Sequence, residues 1–437
     1  MDVRLSAVKS LIKILEQNKT SDEVINSYAN KVSSISELIN LTAGAVKLKL
    51  TLDFFIEKVS SRPLKKLSPP VKNILRAAVY ELEFLKSPDY AVINSYVEIS
   101  KIYDKNSSKF VNAVLRNFLR KRDEIKFPEL DENPCEAISI KFSHPAWLVE
   151  RWIKTYGIDE TIKICEFNNK IPVISIRINT LQTSKSEVMQ LLTENNIEFE
   201  ESLVSNECLI LKSPGNIKKI AGYKEGFWAV QGESSSLVAK VLDPQQGERI
   251  LDLCAAPGGK TAHIAALIKN SGEIIAVDIS KERLKKIEEN SKRLGIKCVK
   301  TVLSDAVSFS DLNKYDKILI DVPCSNTGVL VKRPDARWKK TPKDIKNLTE
   351  IQLNILKNVS ELLKEGGSLV YSTCSIEQEE NLLLIEEFLK TNKDFAFEDI
   401  SKYIRLKDEG LNNEGYIQIL QSRHNIDGFF IAKLKKL

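Results

Sequence analysis

Two cysteines stand where apolar runs give way to short polar turns. Asp321-Val322-Pro323-Cys324-Ser325 follows the run Lys317–Asp321, and Ser372-Thr373-Cys374-Ser375 follows Ser368–Thr373. A thiolate is a strong nucleophile, and an acid beside it can move a proton in the same step. If the two runs are neighbouring strands, Cys324, Cys374 and Asp321 arrive at one rim. The commonest fate of a free cysteine is burial as a small hydrophobe, and a disulfide or metal pair is a further alternative. However, neither cysteine has a second Cys pair at metal-ligand spacing, and His144, His263 and His424 are far from both in sequence. Catalysis is the better reading, with no metal.

A ligand loop lies upstream. Asp252-Leu253-Cys254-Ala255-Ala256-Pro257-Gly258-Gly259-Lys260-Thr261 follows a strand-like run and opens a helix. Small residues and two glycines let the backbone turn tightly and approach a ligand, and the helix start offers free N–H groups to an anionic group. A phosphate-binding P-loop needs Gly where Cys254 stands, although Gly259-Lys260-Thr261 matches its tail. The dinucleotide fingerprint G-x-G-x-x-G is absent. An adenosyl cofactor fits better. Asp278 ends the next strand, 20 residues beyond Gly258, about the spacing at which a carboxylate grasps ribose hydroxyls. Asp305 ends the strand after that, placed to meet an adenine edge. A single strand-end acid is most simply a surface residue; Asp278, Asp305 and Asp321 at successive strand ends beside such a loop are not.

Two thiols, an acid and a methyl donor suit one problem in particular. Carbon-5 of cytosine is a poor nucleophile. A thiolate that adds to carbon-6 makes an enamine able to attack an electrophilic methyl group, and a hard step becomes two easier ones. Asp321 would meet ring nitrogen-3 as charge develops there, and a second thiol would assist expulsion of the first. The residues alone leave open which thiol attacks.

With these motifs in place, the chain resembles the nucleolar-protein/Sun family of RNA cytosine-5 methyltransferases. The matching stretches are Asp252–Thr261, Ala276-Val277-Asp278, Ser304-Asp305-Ala306, Asp321–Ser325, Tyr371–Ser375 and Asp427-Gly428-Phe429-Phe430. The resemblance implies that Cys374 is the nucleophile and that Cys324 assists product release. It also implies that S-adenosylmethionine is held by Cys254, Ala255, Ala256, Pro257, Gly258, Gly259, Lys260, Asp278, Arg283, Asp305 and Asp321. At the front, Val71–Leu82, Ala91-Val92-Ile93-Asn94 and Lys109–Asn117 look like a NusB-type RNA-binding helical domain, and His144-Pro145-Ala146-Trp147-Leu148 also fits. That domain order is similar to bacterial enzymes acting on 16S rRNA. The same chemistry on tRNA or 23S rRNA is the first alternative. A non-catalytic antitermination-type factor is disfavoured by the intact cysteine pair, and a P-loop ATPase by Cys254. One departure is Gln231-Gly232, where a Gln-Asp pair is common.

The elements that must position these residues follow from periodicity. Residues 1–130 carry apolar positions at helical spacing, for example Leu5, Val8, Leu11, Ile12 and Leu15, and read as an all-α NusB-like domain. Residues 140–224 read as a small α+β module. Residues 225–437 alternate strand and helix, the pattern of a Rossmann-like, mostly parallel sheet covered on both faces; Lys281–Leu294 and Thr349–Lys364 are predicted helices. Residues 1–130 hold 22 Lys and Arg against 15 Asp and Glu, a net +7, and the remainder 43 against 44. The polyanion partner suggested by this asymmetry belongs to the helical end. Arg116 and Arg120 there, and Arg333, Arg337 and Trp338 beyond the Cys324 loop, are candidate RNA contacts. His263 reads as structural. No apolar run is long enough to span a membrane. Seven scattered cysteines and no export signal suggest free thiols in a reducing cytoplasm, in a protein expected to be a monomer with no implied protein partner.

Overall fold

The computed structural model describes residues 2–28, 31–212, 215–404, 406 and 415–437. The chain divides into two compact units, residues 1–171 with 330–340, and residues 172–329 with 341–437.

The first unit is helical. Its longer helices are Val3–Leu15, Ile35–Lys47, Lys49–Val59, Pro69–Glu83, Asp89–Tyr103 and Ser107–Lys121. Local signals set their starts: the Asp2 side chain accepts from the Leu5 N–H at 2.7 Å, and Pro69 and Pro70 occupy the first turn after Ser68, where no helical N–H is required. Val8, Leu11, Leu38, Leu52, Ile74, Leu75, Leu115 and Phe118 share one core. Arg76, itself buried, spans that core's edge to Asp53 and Glu16. Pro134–Phe142, Ala146–Tyr156 and Ile158–Asn169 belong to this unit as well. Of the stretch 140–224 expected as an α+β module, helices Ala146–Tyr156 and Ile158–Asn169 thus fall in the first unit and the strands in the second.

Segment 330–340 also belongs to the helical unit, which corrects the expectation that Arg337 meets RNA. Arg337 is 1% exposed. Its Nη1 donates to the carbonyls of Lys47 at 3.3 Å and Ser143 at 3.0 Å and to Asn169 Oδ1 at 3.1 Å; its Nη2 donates to the Asn168 carbonyl at 3.2 Å. Burial lowers its pKa to about 9. The Trp338 indole N–H donates to the Val46 carbonyl at 2.7 Å, and its ring packs on the helical core with the Lys49 ammonium over it. Arg337→Met should strand three carbonyls at about 1–3 kcal/mol each, partly offset by releasing a buried charge. We expect a melting point lower by roughly 5 °C and an unchanged salt dependence of RNA binding. A salt slope reduced by about one would instead mark a phosphate contact.

The second unit holds two sheets. Strands β1 (Ile174–Ile178), β2 (Phe199–Glu201), β3 (Cys208–Leu211) and β4 (Trp228–Val230) form an antiparallel sheet in the order β2-β3-β1-β4. The larger sheet comprises β5 (Arg249–Leu253), β6 (Glu273–Asp278), β7 (Val299–Leu303), β8 (Tyr315–Asp321), β9 (Leu363–Thr373), β10 (Phe395–Phe397), β11 (Tyr416–Ile419) and β12 (Phe429–Lys436). Its order is β10-β12-β9-β8-β5-β6-β7, with β11 on β12. β7, β6, β5, β8 and β9 are parallel, and β12 joins antiparallel to β9. Side chains alternate between faces: Ile250, Ile274, Leu319 and Val370 enter one core, while Leu251, Ile275, Ile318, Ile320, Leu369 and Tyr371 enter the other. Both faces are thus covered by helices. The strand order reverses between β5 and β8, so their carboxyl ends frame the crevice where ligands of such sheets bind.

Helix Lys281–Leu294 stands where periodicity placed it. The helix expected at Thr349–Lys364 runs instead from Pro342 to Ser360, started by a reciprocal cap between Thr341 and Asp344, and β9 already begins at Leu363.

Candidate active site

The loop after β5 turns in left-handed backbone at Cys254, φ 56°, and Gly258, φ 95°. A Cβ at Gly258 would press on Ile287 at 3.2 Å as well as strain the backbone. Helix Gly259–Leu267 then starts beneath the loop. Asp252 is buried; its Oδ2 accepts from the Thr261 hydroxyl at 2.5 Å, while its Oδ1 has no partner among the described residues. Burial raises its pKa to about 7. Burial also pushes the Cys254 thiol up to about 12, with Asp321 and Asp278 adding to the effect, so it stays protonated at neutral pH.

Asp278, at the end of β6, is turned into the loop. Its Oδ2 accepts from the Ala256 N–H at 3.2 Å and its Oδ1 from the Ser280 N–H at 3.0 Å. Arg283 pairs with Asp278 at 3.4 Å and also donates to the Ala256 carbonyl. Asp305, beyond β7, is exposed and accepts from the Val307 N–H at 2.9 Å. The donor set fits an adenosyl group that carries a carboxylate: free helix-start N–H groups, a buried acid with one oxygen unpaired, and acids after two successive strands.

Because β8 and β9 are parallel neighbours with Asp321 opposite Ser372, their following turns lie side by side. Cys324 Sγ and Cys374 Sγ are 3.2 Å apart. Cys324 is buried, 7% exposed, whereas Cys374 is half-buried. The hydrogen bond to Cys374, together with burial, holds the Cys324 thiol well above the usual range. Cys374 Sγ also lies 3.2 Å from Asn326 Oδ1, and Asn326 Nδ2 donates back to the Cys324 carbonyl at 3.0 Å. Asp321 accepts from the Lys260 ammonium at 2.7 Å and from the Ser372 hydroxyl at 2.8 Å. Lys260 is thereby held between the glycine loop and the thiol rim, over the Phe429 ring.

The two turns are stitched by backbone. The Gly328 N–H donates to the Cys374 carbonyl at 3.0 Å, and the Gly428 N–H to the Gly328 carbonyl at 2.8 Å. Single-sequence reading missed Asn326, Gly328 and the buried Glu380 behind the turns. Asn326 and Gly328 look like ordinary turn residues, and Glu380 stands in the acidic run Glu377-Gln378-Glu379-Glu380, which resembles a solvated surface.

Other expected residues lie elsewhere. Arg116 and Arg120 are exposed on helix Ser107–Lys121, reaching Asn112 at 3.1 Å and Asn117 at 3.0 Å. Arg333 is exposed in the first unit. His263 is buried against Glu207 at 2.8 Å, and burial lowers its pKa to about 4. All seven cysteines are free. No group of three or more His, Cys, Asp or Glu among the described residues could hold a metal, and no described helix is long and apolar enough to cross a membrane.

A doubly wound sheet with a glycine loop after its first parallel strand, and two thiols at the rim beside it, defines an S-adenosylmethionine-dependent RNA methyltransferase. Family models agree along the chain: NusB family over residues 1–120, the ferredoxin-like domain of RsmF/B-like methyltransferases over 144–218, and 16S rRNA methyltransferase RsmB/F over 239–435. The chain is 36% identical to the probable ribosomal RNA small subunit methyltransferase B of Bacillus subtilis, across 99% of this chain and 98% of that one. It is 32% identical to ribosomal RNA small subunit methyltransferase B of Escherichia coli, across 100% and 99%. It therefore belongs to the RsmB/F family of 16S rRNA methyltransferases. The crystal structure of PH0851 superposes with TM-score 0.81 at 31% identity, covering 99% of each chain. NSun6 from Pyrococcus horikoshii with SFG superposes with TM-score 0.61 at 28% identity, covering 67% of this chain and 98% of that one.

Proposed function

We propose that this enzyme methylates carbon-5 of a specific cytosine in 16S rRNA, through a covalent bond between Cys374 and carbon-6 of the base. The observation that carries the reading is the 3.2 Å thiol pair with Asp321 and Lys260 at the same rim. Bound at the loop Cys254–Lys260, with Asp278, Arg283, Asp305 and Asp321 around it, S-adenosylmethionine supplies an electrophilic methyl group. The enzyme works in the cytoplasm as a monomer and without a metal.

Cys374, the more open thiol, attacks carbon-6 as thiolate. Electron density moves to nitrogen-3, which takes up a proton from the Lys260–Asp321 pair. Lys260 donates to Asp321 at 2.7 Å, so a proton donor and a carboxylate sit together at this rim. Carbon-5 would take the methyl group as the donor's methyl–sulfonium bond breaks, and then lose its proton to solvent water while nitrogen-3 returns its proton to the Lys260–Asp321 pair. The carbon–sulfur bond then breaks, and the Cys324 S–H, held on Cys374 Sγ, stabilises the departing thiolate. To reach Cys374 the base must leave any stack, so open or flipped RNA is the substrate. Arg116, Arg120 and Arg333 are the exposed candidates for phosphate contacts.

The test is transfer of labelled methyl groups to unmethylated 16S rRNA, 23S rRNA and tRNA, followed by mapping of 5-methylcytosine. Label at one cytosine of 16S rRNA is expected. Label in tRNA or 23S rRNA alone reassigns the substrate, and label in none overturns the reading.

A further inference from the structure

We infer that Glu380 is a positioning residue for the thiol pair: a single buried carboxylate that binds the residue after each cysteine and so fixes both turns at once. Its Oε1 accepts from the Ser325 N–H at 2.8 Å, and its Oε2 accepts from the Ser325 hydroxyl and, at 2.6 Å, from the Ser375 hydroxyl. Ser325 follows Cys324 and Ser375 follows Cys374. Gln352, from helix Pro342–Ser360, donates to Glu380 Oε1 at 3.0 Å and to the Pro323 carbonyl, the peptide preceding Cys324, at 2.9 Å. Glu380, Ser325, Ser375 and Gln352 are all at most 1% exposed. The Tyr371 hydroxyl, near the end of β9, donates to the Glu380 carbonyl at 2.7 Å.

The chemistry of the group matters here. A carboxylate offers about four acceptor positions, and the four donors that fill them come from both cysteine turns and a helix. Each is neutral, so the arrangement is a clamp rather than an ion pair. A buried acceptor network of this kind is rigid when complete, and loss of one member strands the others. Among the described residues the thiols hydrogen-bond each other and Cys374 also Asn326, while Cys374 packs on the apolar core, so no direct polar tie to Glu380 holds them and their separation depends on the turns behind them. A displacement of about 1 Å at reacting atoms costs roughly 10²-fold in rate.

This inference rests on the thiol-dependent reading above, and its test is chosen to be independent of turnover. Glu380→Gln keeps the shape but replaces one acceptor oxygen with a donor. Resting wild-type and variant enzyme are treated with iodoacetamide, and alkylation of each cysteine is followed by peptide mass. Cys208, buried in the same unit at β3, is the internal control for general loosening. The expected result is alkylation of Cys324 about tenfold faster relative to Cys208, from local opening of the turn. A parallel rise at both cysteines, or no rise, overturns the clamp. Where Glu380→Gln fails to fold, Ser375→Ala removes one donor, and the same ratio should rise in it; an unchanged ratio there also overturns the clamp. In single-turnover methylation, Glu380→Gln should lower the rate constant roughly 10²-fold, with full amplitude and unchanged affinity for the methyl donor. A reduced amplitude at unchanged rate marks instability alone and overturns the positioning role. An inactive wild-type enzyme would count against the methylation reading and leave the alkylation result standing.

Discussion

Cys324→Ala enzyme mixed with S-adenosylmethionine and unmethylated 16S rRNA should accumulate a protein–RNA species that survives denaturation. The reason is geometric. Cys324 is the deeper thiol, its proton held by burial and by the bond to Cys374. It is positioned to hydrogen-bond the Cys374 sulfur as that sulfur leaves carbon-6. Without it, bond formation proceeds and bond breaking slows, so the adduct builds up toward one per enzyme. Cys374→Ala should form no adduct and lose methyl transfer by a factor on the order of 10⁴ or more, the scale seen when a covalent nucleophile is removed. The double variant should also form none. Denaturing gels with labelled RNA read all three. Adduct in Cys374→Ala, or normal turnover in Cys324→Ala, would reverse the roles assigned to the two thiols.

Gly328→Ala should also slow turnover, although no side chain is lost. A Cβ at this position would lie far inside contact distance of the Gly428 carbonyl oxygen and 3.0 Å from that of Cys374. Both neighbours are backbone, and both belong to the stitches between the cysteine turns. Backbone in this position cannot swing aside as a flexible side chain would. The β9 turn must move, carrying Cys374 with it. We expect a loss of roughly 10²-fold in turnover at little cost in affinity for the methyl donor, whose proposed loop follows β5. Single-turnover methylation alongside donor binding measures both. Full activity would mean that the turns do not set the thiol geometry.

The parallel strands and the tight glycine turn after β5 were legible because each signal is local. An apolar run ending in an acid or a Cys-containing turn needs no distant partner to be recognised, and β6 ends at Asp278, the acid that marks it in the sequence. The start of helix Pro342–Ser360 was also legible in principle, through Thr341-Pro342 and Asp344. Apolar spacing drew the prediction toward residues 349–364, where the helix gives way to β9. The strand β10, Phe395–Phe397, is too short to show alternation. Arg337 could not be read locally. In a run with Arg333, Lys339 and Lys340 it looks like solvated charge, and it is buried only because carbonyls near residues 47, 143 and 168 converge on it. Glu380 was hidden for the same reason. Its partners come from positions 325, 352 and 375, which a single sequence does not connect.

Segment 330–340 bears on how this architecture can be inherited and dissected. The chain passes between its units three times, near residues 171, 329 and 340. The helical unit is therefore not a cassette that recombination can attach or discard with one cut. A fragment lacking residues 1–171 keeps Arg337 and Trp338 but loses the carbonyls and core that receive them. Such a fragment carries an orphaned, partly apolar loop six residues after Cys324. The contribution of the helical unit to RNA binding is thus better measured with charge reversals at Arg116 and Arg120 than by truncation. Any lineage that dispenses with that unit has to rewrite residues 330–340 in the same step.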